Sequence, residues 1–377
     1  MLRSTKIIIT NLIFSLIIFF LTPLLSLADT SALTAECAIL VEMSRGRVLY
    51  AKNEHAIRYP ASTTKILTAL IVLENCDINQ TVIIPAEAQG VEGSSIYLKK
   101  GEKLTVLELL YGLMLRSGND AATALAIHCG GSVADFAQMM NQKAKELGCT
   151  SSNFTNPSGL PSTEHYTTAH DLAIIACAAM QNETFAQIVS TKKITIPWDG
   201  MDCDRVLVNE NKMLYNYDGA NGIKTGYTIA AGRCLVSSAQ RNGMTLIAVV
   251  LGSRPMYEEC SKMLDFGFEN YKLERIIDPA DYRGQIIVKD GFVETLDYTT
   301  KEEFFYPLCK TDTVKIEKQI NSAEYQAPIK EICEIGSLII YVNGNKIKNI
   351  PLVTTRGTNK NTLFERLKTL LSLAFYR

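Results

Sequence analysis

Four histidines in 377 residues, ten cysteines with no C-x-x-C pair, and no H-E-x-x-H segment leave the chain without any spacing that reads as a metal site. His165 and His170 flank a helix start while His55 and His128 stand alone, so all four read as loop or capping residues. No long run of like charge occurs and the formal net charge is -1, which removes any general attraction to nucleic acid. The cysteines scatter through apolar segments of a chain too large to need staples. Most are expected to be buried small hydrophobes, with some pairing left open. What is present is a composition of 47% hydrophobic and 20% charged residues, which folds, in a chain long enough for two domains.

Both ends carry membrane-related patterns. Met1 to Lys6 is basic, Ile7 to Leu27 is apolar apart from Asn11 and Pro23, and Ser26-Leu27-Ala28 offers the small residues that an export peptidase reads. Residues 1–28 are therefore expected to be a signal peptide cleaved before Asp29, and the mature chain to work at the outer face of the cytoplasmic membrane. The competing reading is an uncleaved anchor, since the apolar run is long enough to span a bilayer. At the other end, residues 356–377 read as a linker and an amphipathic helix. Leu363, Phe364, Leu367, Leu370, Leu371, Ala374 and Phe375 share one face, which suits an in-plane membrane anchor. A helix docked on its own domain, or a dimer contact, is the alternative.

Between these ends, residues 29–272 read as one unit of antiparallel sheet flanked by helices, an α/β (α+β) arrangement. A hairpin is expected over Ala38 to Tyr50, a buried helix after Pro60, and a helix capped by Thr105-x-x-Glu108 and running to Leu115. Asp120 is expected to cap the next helix, Ser132-x-x-Asp135 another, and Thr167 or Thr168 a further one. Gly222 to Tyr227, Cys234 to Ala239 and Met244 to Leu251 predict three antiparallel strands, the last two joined at Asn242-Gly243, with a helix from about Tyr257 to Tyr271 packing back. Residues 273–355 turn to short alternating segments with Asp290-Gly291 and Asn343-Gly344 turns, a small all-β domain in which nothing resembles a catalytic set.

The chemistry is expected at three places. Ser62-Thr63-Thr64-Lys65 opens the buried helix and puts a hydroxyl and an amine one turn apart on one face. Desolvation lowers a lysine pKa, so Lys65 is a candidate base for the Ser62 hydroxyl. Ser117-Gly118-Asn119 lies on a tight turn between two apolar helices, and Lys224-Thr225-Gly226 lies at a sheet edge.

In this order and these settings the three motifs resemble those of the serine DD-peptidases, the penicillin-recognising enzymes, and most closely the low-molecular-mass D-alanyl-D-alanine carboxypeptidases. The likeness spans signal, catalytic domain, small β domain and terminal helix. It implies Ser62 as acylated nucleophile, Lys65 as base, Ser117 as proton relay to the leaving amine, and Asn119 as holder of the substrate amide. Lys224, Thr225 and Gly226, with Arg254 from a shorter local match, would meet the substrate carboxylate, and the N–H groups of Ser62 and Tyr227 would form the oxyanion hole. The implied substrate is a peptidoglycan stem ending in D-Ala-D-Ala, β-lactams would acylate the same serine, and neither metal nor organic cofactor is called for. A serine β-lactamase is the alternative enzyme; Glu164 lies in the right region for it, but Ser162-Thr163-Glu164-His165-Tyr166 resembles the carboxypeptidases instead. An idle wall-binding scaffold is the non-enzymatic alternative.

Overall fold

The computed structural model describes residues 33–366, so the expected signal peptide and the C-terminal helix beyond Arg366 lie outside the described residues. The chain divides into two compact units, the first running to Glu269 except for Arg241–Met244, which group with the second, and the second otherwise starting at Asn270.

In the first unit β1 (Cys37–Glu42) and β2 (Arg47–Lys52) form the expected hairpin. After a 3-10 turn over Ala61–Thr64 comes α1 (Lys65–Asn75), whose residues Lys65 to Val72 are all buried, as a segment apolar all round requires. A short ladder of β3 (Thr81–Ile83) and β4 (Lys103–Thr105) leads into α2 (Val106–Leu115). Its capping box is present: the Glu108 N–H donates to Thr105 Oγ1 at 3.2 Å while the Thr105 N–H donates to the Glu108 carboxylate at 2.7 Å.

The following helix, α3 (Asn119–Gly130), corrects one expectation. Gly118 stands at its cap position and Asp120 lies inside the first turn. Instead of capping, the Asp120 carboxylate accepts from Ser95 Oγ at 2.6 Å and from the Ile96 and Leu98 N–H groups, each at 3.0 Å. A buried carboxylate gains more from three such donors than from one cap bond. Ser132 caps α4 (Val133–Glu146) and Thr168 caps α5 (Ala169–Met180), both as the sequence signals.

Like β3 and β4, α6 (Glu183–Ser190), capped by Asn182, and the hairpin of β5 (Lys193–Ile196) and β6 (Arg205–Val208) carry no clear signal in the sequence. The hairpin is fastened by a buried ion pair, Arg205 to Glu102 at 2.9 Å.

A short helix, α7 (Met213–Asn216), precedes β7 (Ala220–Thr228), β8 (Gly232–Arg241), β9 (Met244–Leu251) and α8 (Met256–Asn270). The five strands stand in the order β2-β1-β9-β8-β7, with β1 antiparallel to both β2 and β9 and β7 antiparallel to β8. All eight residues of β9 are buried because both faces of the sheet are covered. Ile39, Val41, Ile247 and Val249 join the core shared with α1 and α2. On the opposite face α8 comes so close that a Cβ on Gly267 would stand 2.4 Å from the Leu246 side chain.

The second unit begins without a linker, since β10 (Tyr271–Ile277) continues directly from α8. Then follow β11 (Gly284–Lys289), β12 (Thr295–Thr299), β13 (Phe304–Cys309), β14 (Val314–Ile320), β15 (Glu324–Gln326), β16 (Glu334–Val342) and β17 (Asn345–Thr354). Six of them form a sheet in the order β14-β16-β17-β12-β11-β15, and β10 pairs with β13. Leu296, Ile335, Leu338, Ile340, Ile350 and Leu352 fill its core. Neither β13, interrupted by Pro307, nor the three-residue β15 carries a clear strand signal. Helical backbone starts at Leu363, and Leu363 and Phe364 are exposed, 78% and 74%. Among the described residues no single helix is long and apolar enough to cross a membrane.

Candidate active site

The turn that carries Ser62 is held almost entirely by its own backbone and by a relay from the 153–166 loop. Ala61 takes the uncommon φ of +49°, and Thr63 Oγ1 donates to Pro60 O at 2.6 Å. His165 is buried; the Thr155 N–H donates to its Nδ1 at 3.1 Å, which leaves Nε2 to donate to Thr64 Oγ1 at 2.9 Å. Thr64 Oγ1 in turn donates to Ala61 O at 2.9 Å. Burial first, and the Lys65 amine second, hold the His165 pKa down at about 4, so the ring is neutral and the relay keeps its direction. The sequence suggested only a loop residue here.

Lys65 is fully buried, and its Nζ reaches three oxygens: Ser62 Oγ at 3.0 Å, Asn119 Oδ1 at 2.7 Å and Ser158 O at 2.7 Å. Burial, then repulsion from Lys224, holds its pKa well below the usual lysine value, against the weaker pull of Glu210 and Asp120. A neutral amine has two N–H donors and one lone pair. Asn119 Oδ1 and the Ser158 carbonyl are acceptors only, so they take the two hydrogens, and the lone pair faces the one partner that has a proton to give, the Ser62 hydroxyl. Three oxygens around one nitrogen also suit the ammonium, so it is the lowered pKa, from burial first, that brings the neutral, activating form within reach.

Asn119 is fixed on its other side, where Nδ2 donates to Glu92 O at 2.6 Å and its N–H to Ser94 O at 2.7 Å. Those bonds and the Asp120 carboxylate tie the 92–98 segment to the start of α3, which leaves Tyr97 72% exposed at φ +62°. Ser117 is buried at φ +59°, two residues before Asn119. The Ser158 carbonyl is aimed by Asn156, whose Oδ1 accepts from the Gly159 and Leu160 N–H groups at 2.8 and 3.1 Å. Asn156-Pro157 and Ser158-Gly159 are turn signals in the sequence, but nothing local says which way their carbonyls point.

Two glycines close on the Ser62 turn. On Gly159, at φ +85°, a Cβ would lie 1.8 Å from Ala61 O, and on Gly226 a Cβ would lie 3.0 Å from Ser62 N. Gly159→Ala is expected to cost roughly 3 kcal/mol, combining overpacking with a disfavoured backbone region, and to slow reaction at Ser62. Gly200 has a similar φ of +73° with open space around it, so Gly200→Ala should show the backbone cost alone. Denaturant unfolding of both variants checks this; equal losses would show that the Ala61 contact is irrelevant.

On β7, Lys224 is buried, yet among the described residues its one hydrogen bond is to Thr225 O at 3.2 Å. Burial lowers its pKa to about 8, with Glu210 pulling the other way. A buried ammonium with donors to spare has the chemistry to bind a carboxylate. Thr225 and Tyr227 flank Gly226 on the same strand, and Tyr227 is 65% exposed. Arg254 is exposed and makes no bond to this cluster. It follows Ser253, whose N–H donates to Arg233 O, and Arg233 pairs with Tyr227, so Arg254 lies at the same end of the sheet. Glu164 is exposed. Among the described residues no group of three or more His, Cys, Asp or Glu side chains gathers, and all ten cysteines are free thiols.

Comparison with known proteins supplies the family. Residues 26–255 match the D-alanyl-D-alanine carboxypeptidase family model, and residues 271–360 match that of the penicillin-binding protein 5 C-terminal domain. The chain is 34% identical to D-alanyl-D-alanine carboxypeptidase DacF of Bacillus subtilis over 344 residues, 89% of this chain and 88% of that protein. It is 38% identical over 242 residues to DacB2 of Mycobacterium tuberculosis, covering 62% of this chain and 82% of that one. Among solved structures, penicillin binding protein 5 from Haemophilus influenzae superposes with a TM-score of 0.73 at 28% identity, over 87% of this chain and 98% of that chain.

Proposed function

The chain belongs to the D-alanyl-D-alanine carboxypeptidase family of serine peptidases, and on that premise we propose that it is an exported enzyme that trims peptidoglycan stems through an acyl-enzyme on Ser62 and is inactivated by penicillins. The observation that carries this reading is the Lys65 Nζ to Ser62 Oγ contact of 3.0 Å, with both remaining Lys65 partners acceptors only.

The free carboxylate of a peptide ending in D-Ala-D-Ala completes the hydrogen bonding of Lys224, with Thr225 and Arg254 around it. Asn119 holds the peptide amide. That docking sets the penultimate carbonyl against Ser62. Lys65 takes the hydroxyl proton as Oγ attacks, and the developing oxyanion is met by the N–H groups of Ser62 and Tyr227, each worth on the order of 3 kcal/mol in enzymes of this chemistry. The closeness of β7 to the Ser62 turn at Gly226 supports that pairing. Ser117 passes the proton to the departing D-Ala amine. Water then attacks the ester, Ser62 recovers its proton, and the shortened stem leaves. A cavity of about 420 Å³ beside Tyr59, lined also by Arg58, Tyr166 and Ala230, offers room for the rest of the stem. The test is D-Ala release from a pentapeptide stem together with the intact mass of a penicillin adduct. A long-lived adduct fits the peptidase, and rapid release would indicate a β-lactamase, for which exposed Glu164 offers no placed base.

The pH profile follows from Lys224. Its ammonium form binds the carboxylate, so kcat/KM, which reports the free enzyme, is expected to fall as pH rises through about 8. A profile still level at about pH 10, the range of ordinary lysines, would remove Lys224 from carboxylate binding.

The exposed Leu363 and Phe364 begin the apolar face of the C-terminal segment, which supports an in-plane anchor at the outer face of the membrane. Deleting Thr362 to Arg377 is expected to release the mature protein from anionic vesicles while cleavage of a soluble peptide stays within about twofold. Retention on the vesicles would move the anchor to the N-terminal segment, and lost activity would make the helix part of the fold.

A further inference from the structure

Two thiols meet where α1 and α3 end. Cys76 is the residue at which α1 stops, and Cys129 lies in the last turn of α3. Both are half-buried against the same core, and the Cys129 thiol is within hydrogen-bond reach of the Cys76 thiol. Burial first, and that contact second, push the Cys129 pKa up to about 12.

The helix starts explain the meeting. Lys65 opens α1 and Asn119 opens α3, and their side chains are joined at 2.7 Å. The helices have 11 and 12 residues, so at about 1.5 Å per residue each runs roughly 17 Å from that junction, and the thiol contact marks their ends as neighbours. Cys37 and Cys234 also influence one another, but β9 lies between their strands. Two strand spacings put them about 10 Å apart, beyond the reach of a disulfide.

We propose that Cys76 and Cys129 are a site of oxidative modification: they form a disulfide when the chain meets a small-molecule disulfide, fastening α1 to α3 at the ends away from the active site. The Cys76 thiolate attacks one sulfur of the oxidant and expels one thiol. Cys129 then gives up its proton and attacks the Cys76 sulfur, expelling the second thiol. The protein loses two electrons and two protons, and the oxidant becomes two thiols. The scarcity of Cys129 thiolate makes the closing step the slow one, faster at alkaline pH. That such an oxidant is met in the cell rests on the export reading above, whereas the test supplies the oxidant itself.

The bond would close a loop of about fifty residues, so its main effect is to restrict the unfolded chain, a rise in melting midpoint on the order of 10 °C. The spacing of Lys65 and Asn119 is already set, so D-Ala release at 25 °C is expected to stay within about twofold. The experiment treats the full-length protein with oxidised glutathione or with dithiothreitol, alkylates the remaining thiols, and maps peptides without reduction. The expected result is a peptide pair joined through Cys76 and Cys129, with the higher midpoint in the oxidised sample. Cys76→Ala and Cys129→Ala should each lose the rise, measured against their own reduced forms. Overturning results are a glutathione adduct on Cys76 that never passes to Cys129, linkage to another cysteine, or both thiols still alkylated while exposed Cys203 has reacted. D-Ala release measured in the same samples tests the peptidase reading separately, since the link is scored by mass alone.

Discussion

Ser62→Ala is expected to lose D-Ala release by a factor on the order of 10⁴ to 10⁶ in kcat/KM, the range over which removal of an activated nucleophile acts in serine hydrolases. Penicillin labelling should disappear with it. The fold should not follow, because Ser62 is half-exposed and among the described residues its side chain makes a single hydrogen bond, to Lys65. Losing that one bond costs about 1 kcal/mol, and the amine keeps its two acceptors. The decisive measurement pairs intact mass after penicillin treatment with a thermal midpoint. An alanine variant that still gains the mass of a penicilloyl group would place the nucleophile elsewhere, and peptide mapping of the parent adduct would say where.

Lys65→Arg comes next in size and separates charge from proton transfer. The substitution keeps a cation, yet arginine does not deprotonate in proteins, so the lone pair that faces Ser62 is gone. Loss of a positioned base is typically worth 10²- to 10⁴-fold, and acylation by penicillin is expected to slow by about that factor. The guanidinium is also too wide for three oxygens gathered around one nitrogen, so loss of structure has to be told apart from loss of the base. Lys65→Met does that, since it retains a long apolar side chain without nitrogen. If both variants melt cooperatively and both fail to acylate, the amine is the base. Near-normal acylation by the arginine variant would contradict the assignment.

Local features were legible in the sequence and distant ones were not. Ser62 and Lys65 are three residues apart, so one helical turn joins them whatever the rest of the chain does. The Thr105 capping box, the Ser132 and Thr168 caps and the Asn242-Gly243 hairpin are local in the same way. Asp120 was misjudged because its partners, Ser95 to Leu98, lie more than twenty residues back, and their pull outweighed a cap. His165 looked like a loop residue for the same reason, since Thr64 lies 101 positions away. Neither periodicity nor spacing could bring Lys224 beside Lys65. That juxtaposition was expected only from the resemblance to a known family, and the sheet order β8-β7 and the bare Gly226 supply its physical basis.

The paired glycines at the Ser62 turn also bear on how such an enzyme can change. With backbone pressed against backbone there, neither Gly159 nor Gly226 can take a side chain without shifting the nucleophile's turn. Room to vary lies at exposed positions such as Tyr97, Tyr227 and Ile229. On the proposed reading, selection by a penicillin therefore meets two backbone contacts that it can hardly reshape, and adaptation would act through the exposed positions with the chemistry inherited unchanged.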